Sequence, residues 1–339
     1  MPQEVLISKK EYRGAFSRFS IDRCAVRDRN IMYFTTHEID TEHHPVMEQN
    51  QIKKSLVVFY RDDEKGNRLG WTGLEGFERL SCAVSRLPNA NIVAVDSSGQ
   101  AMIYGSGDRA VEPKIPSSPT GPMRGGSRNV RTIGKYVYLA SGLRGVCRRT
   151  GVEEWESLCP PAEFKKRAAA RQKQTENWGF DDIAGFSEDH FYCCGGKGDV
   201  WRYKNGDWKQ CDFPSNYYLE SICCGDDGRV YIGGQTGSLF VGLEDEWELL
   251  DQGGLSLPYR DLVWYDDKVW GTNSYGLWAL EDGKMKEVKL EDSIKVCAGS
   301  MSVADGVMLL AGANGAAFFA DGNWHLIFND FHFQSDSDN

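Results

Sequence analysis

The stretch VYIGGQTGSLFVGLEDEW, Val230–Trp247, opens on β-branched and aromatic residues, turns at Gly237 and closes on a tryptophan after an acidic pair. Alone it reads as a hairpin. Beside the rest of the chain it is one copy of a repeat. Tyr231 has counterparts at Tyr192 in HFYCCGGKGDVW, Trp270 in KVWGTNSYGLWAL and Leu309 in GVMLLAGANGAAFF, each 39 residues from the next. A glycine stands six residues after each anchor, at Gly198, Gly237, Gly276 and Gly315, and Trp208, Trp247 and Trp324 close three of the four units.

The same pattern extends upstream. Val93 in NIVAVDSSGQAMIYG has its glycine at Gly99, while Tyr138 has Gly145 and, further on, Trp155. The most divergent unit is the first, with NIMYFTT around Tyr33 and KSLVVFYR as its partner after a long interruption. Seven units result, starting near residues 16, 80, 126, 178, 218, 258 and 296. Each reads as four short strands, which in the fifth unit are ESICCG, RVYIGG, SLFVGL and EWELLD. Val, Ile, Tyr, Phe and Trp fill the strands, and Gly, Asp and Asn fill the connections. The recurring glycine suits a tight turn that needs positive φ.

A four-stranded antiparallel unit recurring every ~40–45 residues is the pattern of a β-propeller. Over residues 16 to 330 the chain resembles the seven-bladed β-propeller superfamily, in blade pattern and not in any catalytic motif. The fold expected is all-β, a single propeller domain over residues 1–339, with NWHLIFND as the last outer strand and EVLIS beside the closure. The eukaryotic GH…WD blade signature is missing. As a compact acidic chain without tails, it also resembles bacterial toxin-immunity or inhibitor proteins built on propellers. That resemblance implies a cytoplasmic monomer that binds another protein.

Composition bounds the alternatives. No apolar run approaches the ~18 residues of a membrane span, and MPQEVLISKKEYRGAF lacks the apolar core of a secretion signal. The formal net charge is −10, which argues against nucleic acid as the partner because such binding uses a basic face. An acidic surface favours solubility and fast encounter with a basic protein. The ten cysteines lie within strand patterns and read as reduced, buried small hydrophobes. HEIDTEHH places His37, His43 and His44 among Glu38, Asp40 and Glu42, but with neither HExxH spacing nor a rigid element. No metal or cofactor is expected.

Three interruptions of the repeat carry the functional expectation. Residues 34–53 fall between the second and third strands of the first unit, 111–127 between the second and third units, and 159–178 between the third and fourth. In a propeller these positions open on one face, and loops elaborated on one face mark a binding surface. Within the last interruption, Glu163 to Gln174 follows Pro160-Pro161 and is rich in helix formers. This predicts a short basic helix bearing Lys165, Lys166 and Arg167, suited to an acidic partner or simply solvated. Blade entries and turns on that face supply Trp178, Tyr218, Tyr259, Arg260, Tyr275 and Arg144, the aromatic-plus-Arg composition of a binding hot spot.

Catalysis has thinner support. Asp182, Glu220 and Asp261 occupy equivalent places in consecutive units, and paired carboxylates serve glycoside hydrolysis. A hydrolase or lyase acting on a small polar or sugar substrate is therefore the alternative. The nucleophile elbow and the phosphate loop are absent, and GGKGD at 195–199 is a blade turn.

Overall fold

The computed structural model describes residues 4–39, 47–160 and 179–334. Seven four-stranded antiparallel sheets follow one another along the chain in a propeller arrangement, with the strands of each sheet adjacent in sequence order. These blades span residues 19–74, 80–112, 127–157, 182–210, 219–251, 261–287 and 300–329. All seven anchors, from Tyr33 to Leu309, lie in the second strand of their blades. The repeat is therefore also the structural unit. A few short helices accompany the sheets, at Lys9–Ala15, Asp292–Lys295 and Asp330–Gln334.

The chain forms two compact units, one of Ala83–Gly271 with Trp278–Lys286, the other of Met1–Cys82, Thr272–Leu277 and Glu287–Asn339. In the first, blades meet through apolar layers. Tyr138, Val146, Phe180, Ile183, Phe191 and Trp201 form one, and Tyr192, Val200, Leu219, Ile232 and Phe240 another. Ion pairs between blades supplement these layers. Arg149 meets Glu112 at 2.5 Å with both side chains buried, a geometry that repays desolvation only because the carboxylate also accepts the Glu153 amide.

The blade-turn glycines turn out to have two causes. At Gly198 φ is +68°, and a Cβ would sit 1.9 Å from the Ser215 carbonyl oxygen, so only glycine fits. At Gly145 φ is unexceptional; the left-handed residues are Leu143 and Arg144 just before it. There a Cβ would meet Ser141 Oγ at 2.1 Å, so the requirement is close approach rather than dihedral freedom.

In the second unit the N-terminal segment fastens the last blade to the first. The Leu6 and Ile7 amides donate to the Leu326 and Ile327 carbonyls on the outer strand Asn323–Asn329. The expected NWHLIFND strand is thus in place, and residues of EVLIS run beside it. The helix Lys9–Ala15 begins at a capping box of Ser8 and Glu11. It stacks Tyr12 on Phe333 at 4.4 Å and brings Phe16 onto Phe328 at 4.2 Å. Lys65 Nζ and Arg68 Nη1 donate to the Val5 and Leu6 carbonyls.

Trp208, Trp247 and Trp324 occupy the outer strands as aligned, but they are half-buried rather than fully enclosed. Trp208 does reach the neighbouring blade, donating from Nε1 to the Leu158 carbonyl at 2.8 Å. Trp324 packs within its own blade, against Phe319 at 5.5 Å.

Candidate functional site

Within the larger unit, second-to-third-strand turns meet the connections that lead into the next blade. Gly142 bridges Gly179, Lys197 bridges Tyr218, and the Gln235 amide donates to the Tyr218 carbonyl. The connection 113–126 joins the same end: Gly142 donates to Gly126, Arg124 to the Pro160 carbonyl and Cys159 Sγ to the Pro122 carbonyl. The roots of the 111–127 and 159–178 insertions are therefore built together, over the turn of the third blade.

Among the described residues at this end, several exposed side chains could anchor a contact. Tyr218 is 43% exposed, with Lys197 Nζ 5.7 Å from its ring centroid. Leu143, at the tip of the turn in a left-handed conformation, is equally open, and Leu257 is 39% exposed. Arg128 reaches toward Asp181 at 3.9 Å, with Arg260 half-buried beyond. Arg124 is buried with no ion pair among the described residues, and desolvation lowers its affinity for the proton.

Charge differs between the two ends of these blades. The end just described carries Lys114, Arg128, Lys197 and Arg260 against Asp181 and Glu220. The opposite turns hold Glu188, Asp189, Asp226, Asp227, Glu244, Asp245, Asp266, Asp267 and Asp282 against Lys135 and Arg229, and the Asp212 amide reaches Asp245 there at 3.3 Å. Several of those acids serve the turns themselves. Asp266, Asp267 and Asp282 take positive φ, which short polar side chains tolerate. Glu244 and Asp245 pair with Arg202 and Lys209 of the preceding blade.

Two of the expected anchors are internal. Tyr259 is 2% exposed, packed edge-on to Trp278 at 5.6 Å, with its carbonyl accepting from Ser221 Oγ. Arg144 is 4% exposed and bidentate to Asp199 at 2.6 and 2.8 Å. Its guanidinium also lies 5.0 Å from the Trp201 ring. Both side chains turn inward because partners elsewhere in the chain satisfy them. Tyr218 is open as expected, and Tyr275, in the other unit, is 62% exposed at a blade turn. Trp178, Lys165, Lys166, Arg167 and the expected helix from Glu163 to Gln174 lie outside the described residues.

The carboxylates proposed for catalysis have another role. Asp182 and Asp261 are both buried, and Arg131 bridges them, at 2.8 and 2.7 Å. Asp182 also accepts from Asn129 Nδ2 and the Ile222 amide. Burial pulls the Arg131 guanidinium down, and the two carboxylates override it, holding it well above its ordinary value. Glu220 is exposed and takes no part in this bridge. The sequence signal for this knot was Arg131, placed between Val130 and Ile133 in the strand SRNVRTI, Ser127–Ile133, and it was missed.

None of the ten cysteines forms a disulfide. Burial pushes the thiols of Cys147, Cys193, Cys194 and Cys223 well above the ordinary range, so they behave as apolar packing. Among the described residues no three His, Cys, Asp or Glu side chains form a metal-binding group. His37 pairs with Asp22 at 2.9 Å, while His43 and His44 lie outside the described residues. No described helix is long and apolar enough to cross a membrane.

No protein-family model matches the chain. The propeller arrangement is shared with solved structures: the WD40 propeller domain of Doa1 superposes with a TM-score of 0.60 at 10% identity, covering 87% of this chain and 90% of that one. YCF48, solved with a D1 peptide, gives 0.57 at 13% identity over 92% and 95% of the two chains. In sequence, the chain is 29% identical over 251 residues to Immune protein Tsi7 of Pseudomonas aeruginosa, covering 74% of this chain and 80% of that protein. The chain is a seven-bladed β-propeller that resembles this immune protein.

Proposed function

We propose that this chain is a non-catalytic immunity protein that neutralises a toxin by binding it directly. The observation that carries the proposal is the similarity to Immune protein Tsi7 over 74% of the chain. The end of blades three to five that gathers the insertion roots supplies the surface. Tyr218, Leu143 and Leu257 are its exposed anchors, and Lys197, Arg128 and Arg260 its polar rim. Tyr275 and residues 34–53 of the other unit remain candidates on sequence grounds. Ten cysteines outside disulfides suit a reducing compartment, and we place the protein in the cytoplasm as a monomer until it meets its partner.

Catalysis by Asp182 and Asp261 is disfavoured because both carboxylates are spent on Arg131, away from solvent. The test is co-expression with candidate toxins, beginning with the products of the adjacent genes. Restored growth and a purified one-to-one complex are expected. Unrestored growth with no complex overturns the proposal.

A further inference from the structure

The outer strand of the fifth blade, Glu246–Asp251, differs from its neighbours in the same unit. It has six residues, against five for Asp108–Glu112 and four each for Glu154–Ser157 and Asp207–Gln210. Among the described residues it pairs with Leu239–Leu243 on one side and with no strand on the other. A free strand edge is a template for another chain, and the charges along this one, Glu246, Glu248 and Asp251, are all acidic, so they repel acidic segments and admit basic ones. Here a groove of about 700 Å3 runs beside it, lined by Pro214, Tyr217, Phe240, Trp247, Glu248 and Leu249. Leu249 is 44% exposed. Glu246 and Glu248 are exposed, and among the described residues neither carboxylate has an ion-pair partner, unlike Glu244 and Asp245 in the preceding turn.

We infer that this edge and groove receive an extended, basic segment of the partner protein, added as a fifth strand. The inference rests on the protein-binding role proposed above. Alternation fixes the chemistry of the segment. Successive side chains of a strand point to opposite faces, so Trp247 and Leu249 share one face and Glu246 and Glu248 the other. A segment alternating apolar and Lys or Arg residues sets its apolar side chains against Trp247 and Leu249. Its cations then meet the two unpaired glutamates. Main-chain hydrogen bonds supply affinity and the alternating contacts supply selectivity.

The first measurement needs no toxin. An acetylated, amidated hexapeptide alternating lysine and valine is titrated into the full-length protein while backbone amide shifts are followed by NMR. Shifts confined to 214–217 and 246–251 are expected, with no response to the glutamate–valine counterpart. Glu248→Lys weakens binding about tenfold by reversing one contact charge, and Leu249→Lys abolishes it; both sites are exposed, so the melting temperature stays unchanged. Absence of shifts along the edge strand, or equal binding by Glu248→Lys, overturns the inference. Intact toxin binding by these two variants overturns it as well, while leaving the immunity proposal standing.

Discussion

Arg131 Nη2 lies 2.7 Å from Asp261 Oδ1, although 130 positions separate them in the chain. The same guanidinium holds Asp182, and Asp182 holds the Ile222 amide, so one cation ties the first strands of the third, fourth, fifth and sixth blades. Removing it strands two buried carboxylates. Arg131→Met is expected to destabilise the protein by about 3–5 kcal/mol in urea titrations. The triple variant with Asp182→Asn and Asp261→Asn recovers most of that loss. Equal stability of wild type and Arg131→Met would show that the knot carries no energetic weight.

Trp208 and Trp324 are equivalent by sequence and unequal by contact. Trp208 crosses to the preceding blade through Leu158 and stacks near Phe180, at 6.0 Å. Trp208→Ala should therefore cost about 3 kcal/mol, the lower end of the range for deleting a large aromatic. Trp324→Ala should cost less. Calorimetric melts ranking the pair in the reverse order would contradict this assignment.

Glu11 predicts the shape of the acid limb. Burial pulls its carboxyl upward, but hydrogen bonds from Ser8, Arg68 and Gly66 override this and hold it below the usual carboxylate value. A carboxyl depressed in the folded state stabilises that state above its unfolded pKa, and the stabilisation is lost as pH falls through the folded pKa. Melting temperature should thus decline below about pH 4.5, and Glu11→Gln should flatten that decline while lowering stability at neutral pH. Parallel curves for the two proteins would place the acid sensitivity elsewhere.

At the proposed binding end, exposure separates affinity from stability. Tyr218→Ala should weaken toxin binding by about 2 kcal/mol, the scale of a hot-spot aromatic, with little change in melting temperature. Tyr259→Ala should do the reverse, unfolding more easily because its ring is packed on Trp278. Calorimetry with the isolated toxin domain measures both. Unchanged affinity for Tyr218→Ala would remove this end of the blades as the contact surface.

Blade number, strand order and the spacing of the anchors are properties of the sequence itself. They rest on local physics: alternation of apolar residues, turn formers between them, and glycines wherever the turn admits no Cβ. The capping box at Ser8 and Glu11 was equally legible, as S-x-x-E, and went unread beside the stronger repeat. Only the tertiary structure decided which polar and aromatic residues face solvent. Arg144 and Tyr259 occupy turn and entry positions like those of Tyr275 and Tyr218, yet the first pair is buried and the second open. The difference comes from Asp199 and Trp278, residues 55 and 19 positions further along, which supply a bidentate carboxylate and a ring edge. Burial of a polar group depends on partners delivered by distant segments, and a repeat pattern records positions within a blade without recording which neighbour each side chain will meet.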